Sequence, residues 1–232
     1  MKKLFAIVAL LVASIGVANA QNVQAHYNVG KRIDKTNQET HSPMILTIEN
    51  LSFDKWGQTF YFVDLELGEK IMDCAYLEIA RELKFWKAPI ALHVEYNGGI
   101  SKYAPMNHTY LGGVSYLWAK NGNAFNLSMM YRHDQGFNKP HNMQLTGVWS
   151  WTSWNRVFTL NGFADLWTTD LGDKGNVTFL AEPQAWINLN QFVGVSDDFN
   201  LSIGTEVRLA YNFINKDKFW VRPSLALKWT FK

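Results

Sequence analysis

Apolar and polar side chains alternate one for one along run after run of this chain. In "QTFYFVDLEL" (58–67), Thr59, Tyr61, Val63, Leu65 and Leu67 fall on one side, and Phe60, Phe62, Asp64 and Glu66 on the other. Successive side chains of a strand point to opposite faces, so strict alternation describes a sheet between two different environments. "IALHVEYN" (90–97) sets Ile90, Leu92, Val94 and Tyr96 against Ala91, His93, Glu95 and Asn97. "NLSIGTEVRLAYNF" (200–213) sets Leu201, Ile203, Val207, Leu209, Tyr211 and Phe213 against Ser202, Glu206, Arg208 and Asn212.

Such runs predict twelve strands, near 22–30, 44–53, 58–67, 74–85, 90–97, 108–120, 124–134, 141–153, 156–168, 176–189, 200–213 and 219–231. Several are well beyond the roughly five to six residues of an ordinary soluble strand. A tilted strand crosses a bilayer in about nine to eleven residues. Connections alternate in length as well. "KRIDKTNQETHSP", "GGISKYAPMN" and "TTDLGDKG" are long and polar, whereas "DKWG", "WKAP", "NGN" and "SWN" are short. "NQFVGVSDD" and "INKDK" break this rhythm, which leaves the count open by one hairpin.

The N-terminus supplies an address. "MKKLFAIVALLVASIGVANA" carries Lys2 and Lys3, an apolar run and a closing Ala18-Asn19-Ala20, so residues 1–20 read as a signal peptide cleaved before Gln21. No later segment has the roughly 18 uninterrupted apolar residues of a spanning helix. Export, long alternating strands and an even strand count together predict an all-β fold, a transmembrane antiparallel barrel over 21–232 in a Gram-negative outer membrane. A lipocalin-like barrel or a sandwich would have to pack these aromatic faces into one core. Trp118, Trp149, Trp151, Trp154, Tyr211, Trp229 and Phe231 near strand ends instead suit interfacial girdles. Arg81 falls on the apolar side of "AYLEIARELKF" (75–85). It must therefore sit near a headgroup or be turned inward by a bulge, because an Arg facing lipid costs about 2–4 kcal/mol at the midplane.

If the apolar side meets lipid, the polar side lines a lumen. There it collects Asp64, Glu66, Glu78, His93, Glu95, Arg132, Glu182, Glu206, Arg208 and Arg222, with Phe60, Phe62, Tyr76 and Trp186 among them. Carboxylates gather in the third to fifth strands and cations in the last two, so the two sets can face each other across the lumen. Small barrels commonly fill their interiors with structural ion pairs. The sharper reading is a solute path, because aromatic rings left in water favour a flat partner, and carboxylates suit its hydroxyls.

"ILTI" followed by "ENLSFDKWGQTFYFVDLEL", and then "AYLEIARELKF", resembles the nucleoside-specific channel-forming outer-membrane proteins, the Tsx-type family, over residues 44–85. The resemblance implies a twelve-stranded barrel with a narrow pore that passes nucleosides. It singles out Glu49, Phe60, Phe62, Asp64, Glu66 and Glu78 as lumen contacts.

Other classes of function have less support. A formal charge of +2 gives no basis for nucleic-acid binding. The single Cys74 excludes an intramolecular disulfide and reads as a small hydrophobe. The histidines 26, 41, 93, 108, 133 and 141 lack metal-ligand spacing, so no metal or cofactor is expected. A lipid-modifying barrel enzyme needs a nucleophile beside a His, and no Ser lies in such a context in the sequence. A closed structural or adhesive barrel stays open as a rival. The expected partners are a nucleoside or similar small solute and outer-membrane lipid, with the protein acting as a monomer and not as an enzyme.

Overall fold

The computed structural model describes residues 20–30, 43–68, 72–103, 105–170, 175–214 and 217–231. The proposed leader, most of the "KRIDKTNQETHSP" connection and 171–174 of "TTDLGDKG" lie outside them. The strands are β1 (Ala20–Asn28), β2 (Met44–Asp54), β3 (Gly57–Leu67), β4 (Cys74–Leu83), β5 (Ile90–Ser101), β6 (Thr109–Lys120), β7 (Asn123–Asp134), β8 (His141–Thr152) and β9 (Phe158–Thr168). They continue with β10 (Val177–Ala181), β11 (Gln184–Asn188), β12 (Leu201–Tyr211) and β13 (Phe219–Phe231). Each pairs antiparallel with its neighbours, and β1 pairs with β13, so the sheet closes on itself.

β10 and β11 are two segments of one wall strand. Both pair with β9 on one side and β12 on the other, in unbroken register: Ala181 faces Leu209 and Gln184 faces Glu206. The break falls at Pro183, whose carbonyl accepts from Val207 N at 3.0 Å but which has no N–H to return the bond. The barrel thus has twelve wall strands, as the alternation predicts, and the tenth is interrupted where the sequence reads as continuous. "NQFVGVSDD", the long connection that breaks the rhythm, is entered through a short 3-10 turn, Leu189–Gln191. Elsewhere the turn chemistry is local. Asn121 and Gly122, with φ of 54° and 78°, form the two-residue turn between β6 and β7 that Asn-Gly favours.

Register separates the faces. The outward rows carry Leu92, Val94, Val114, Leu127, Met129, Leu145, Leu160, Leu166, Ile203, Leu225 and Leu227, all exposed. A water-soluble monomer rarely exposes so extensive an apolar belt. At the end where β1 begins and β13 ends it is bordered by Trp118, Phe125, Trp151, Trp154 and Phe231, and at the far end by Tyr27, Tyr110 and Tyr131, the aromatic edges of a membrane-spanning barrel. Arg81 does project outward, with no bulge, at the level of the β2–β3 turn. Its guanidinium donates to Thr59 Oγ1 at 2.9 Å and Asp54 Oδ1 at 2.8 Å, so the charge sits at the barrel's edge with a counter-ion.

Candidate functional site

The inward rows converge on four groups of side chains. On β3 and β4, Phe60, Phe62 and Tyr76 form a line of rings, with centroids 6.0 and 5.7 Å apart. The registered pairs Glu49–Phe62 and Asp64–Tyr76 set carboxylates beside those rings. Thr47 donates to Asp64 at 2.5 Å, Asn22 to Glu49 at 3.0 Å, and Tyr76 to Glu78 at 3.2 Å. Glu66 ends the β3 row opposite Cys74. The segment that carries the family resemblance thus puts its aromatics and acids on one inward stripe.

Toward the end where β1 begins, His93 lies between two carboxylates, with Nδ1 2.9 Å from Glu82 and Nε2 2.9 Å from Glu95. Ser115 donates to Glu82 at 2.7 Å and Asn126 Nδ2 donates to the same carboxylate at 2.9 Å, which ties four strands together; all but Asn126 are buried. The sequence pairs His93 with Glu95 through their shared face. Glu82 joins them by register, since it is His93's partner on β4.

The opposite wall holds the cations. Arg208 donates to Glu182, and Gln184 donates to Glu206 at 2.8 Å. Arg222 is buried, and Lys228 lies 4.1 Å from the Trp186 ring centre. Contacts here cross the lumen: Gln184 reaches Gln24 on β1 at 3.3 Å, and His26 meets the edge of Trp186 at 6.2 Å. Asp64 and Glu66 on β3 and Arg208 and Arg222 on β12 and β13 line the same interior.

At the far mouth, Arg132 donates to Asp134 at 2.8 Å and Gln144 at 2.6 Å, and lies 5.0 Å from the Trp167 ring centre. Thr146 donates to Asp165 at 2.6 Å. A cavity of about 450 Å³ opens here, lined by Tyr76, Glu78, Arg132, Asp165, Trp167 and Phe213 among others. Phe213 corrects the sequence reading, which sets it on the lipid side with Tyr211. Asn212 takes a left-handed φ of 56°, and that ends the alternation and swings Phe213 against Trp167, with ring centres 5.9 Å apart. Above the rim, Asp73 accepts from Tyr103 at 2.6 Å and meets the Lys102 ammonium at 2.5 Å. The Asp73 bond raises the Lys102 pKa from its usual value.

Between the mouths the lumen is tightly filled. Met130, Gln24 and Trp186, all inward, are at most 1% exposed. Gly204 makes room for Trp186, because a Cβ there would lie 2.5 Å from its ring. Alternation singles out Trp186 as an inward aromatic, but Gln24, His26 and Met130, without a formal charge in the sequence to mark them, are not among the candidates it yields. It also missed Ser224, whose Oγ is 3.2 Å from His26 Nδ1.

An apolar-coated closed barrel with a polar, charged interior defines a porin-like protein. The solved structure described as the NanC porin matches with a TM-score of 0.55 at 11% identity, over 91% of this chain and 99% of that one. A BenF-like porin from Pseudomonas fluorescens Pf-5 and Pseudomonas aeruginosa OpdQ each match with a TM-score of 0.44 at 8% identity. Those matches cover 84% of this chain but 57% and 58% of theirs. Likeness at such identities concerns the fold. The chain belongs to the family described as a domain of unknown function, DUF5020, whose model matches residues 20–231. No curated protein matches the sequence.

Proposed function

We propose that this chain is a monomeric outer-membrane channel for passive uptake of small polar solutes, and that the solutes are nucleosides. One observation carries the solute class: the inward stripe of Phe60, Phe62 and Tyr76 with Glu49, Asp64 and Glu78 at its side. Rings in a row offer a face to a nucleobase, and carboxylates along the same stripe accept from ribose hydroxyls. The resemblance over 44–85 falls on this stripe, and the fold is porin-like. The remaining inward candidates, His93, Glu95, Arg132, Glu182, Trp186, Glu206, Arg208 and Arg222, shape the path and its charge.

On this reading the protein is not an enzyme. The Ser224–His26 contact is buried away from lipid, and the Ser224 hydroxyl also donates to the Glu206 carbonyl at 3.3 Å. A closed structural barrel is the rival that a specific observation favours, namely the filled middle around Met130 and Trp186. Single-channel recording in a planar bilayer, titrated with adenosine, thymidine and ribose, separates the two. Conductance blocked by the nucleosides and not by ribose is expected. Conductance indifferent to all three would remove the solute assignment, and absence of conductance would favour the closed barrel.

A further inference from the structure

The far-mouth cavity contains more than the stripe described above requires. Asn97 and Thr178 both line it, on the inward faces of β5 and β10, and are 7% and 2% exposed. Asn97 spends its amide N–H on Glu95 at 2.9 Å, and its Oδ1 has no hydrogen-bond partner among the described residues; nor has Thr178 Oγ1. Buried polar atoms are nearly always satisfied by protein, water, ion or ligand, so two orphans lining one cavity point to a partner. Glu78 and Asp165 line the same cavity. Arg132, its guanidinium, is already bonded to Asp134 and Gln144. The wall is therefore rich in acceptors, and its cation is committed. Trp167 and Phe213 add an apolar surface at the same level. The volume, about 450 Å³, is in the range of small-molecule sites.

We propose that this vestibule is a recognition site for the amino group of an incoming solute, whose two N–H groups find acceptors among Asn97, Thr178, Glu78 and Asp165. Resting on the nucleoside reading, it makes the channel prefer amino-bearing nucleosides to their oxo counterparts. A site built to receive a donor rejects an analogue that presents a carbonyl there, because its buried acceptors stay unpaired. The same acids oppose a phosphate, so a nucleotide is disfavoured.

Adenosine and inosine share the ribose and ring skeleton and differ by amino against oxo, which makes them the decisive pair; cytidine and uridine are the second. Dissociation constants from ligand-observed NMR on the detergent-solubilised barrel need neither conductance nor a variant. The expected result is adenosine at least about fivefold tighter than inosine, with cytidine ahead of uridine. Asn97→Leu and Thr178→Val should each narrow the preference. Equal binding of amino and oxo partners would overturn the vestibule assignment and leave the nucleoside reading intact. Binding of neither would overturn both.

Discussion

Single side chains decide how much of this interior is structural. His93 is buried with both ring nitrogens on carboxylates, whereas Arg81 meets Asp54 at an exposed edge. Removing one partner of a buried charged group leaves the others uncompensated and costs about 3–5 kcal/mol, while an exposed pair contributes about 0–1 kcal/mol. His93→Ala should therefore lower unfolding stability in detergent by several kcal/mol, and Arg81→Ala by less than about 1 kcal/mol. Equal losses in urea titrations would contradict the assignment of a structural knot to His93. At this scale the sequence was only partly legible. Charged inward residues stood out, and their side of the sheet followed from parity. Asn97 and Thr178 share the same rows but carry no charge, and their importance comes from a missing partner, which only packing reveals.

Strands were the most legible elements, because period-2 patterning is a direct consequence of backbone geometry. Their edges and interruptions were not. Pro183 splits the tenth wall strand through a missing donor, and Asn212 turns Phe213 inward through a left-handed backbone. Both effects depend on one residue's backbone and leave the hydropathy pattern almost unchanged. Two predictions follow from how these elements close the lumen. Gly204→Val would press a side chain onto Trp186 and the Ala185 carbonyl, so it should destabilise the barrel by about 1–3 kcal/mol, read from heat-modifiable migration on gels. Phe213→Ala removes a ring from the far-mouth cavity and should raise single-channel conductance without affecting stability at the middle of the barrel.

The whole molecule has an uneven interior. Its inward rows carry Glu49, Asp64, Glu66, Glu78, Glu82, Glu95, Asp134, Asp165, Glu182 and Glu206 against Arg132, Arg208, Arg222 and Lys228. A low-dielectric wall focuses such a field along the path. In a salt gradient the reversal potential should therefore report preference for potassium over chloride, and a chloride preference would contradict this distribution of charge. The central claim, that small solutes pass through this lumen, is tested most directly by liposome swelling. Proteoliposomes placed in isotonic adenosine should swell faster than protein-free vesicles, and Asp64→Asn together with Phe62→Ala should slow them. Swelling no faster than in protein-free vesicles, for adenosine and ribose alike, would mean that the side chains between the mouths form a plug and that the barrel is not a channel.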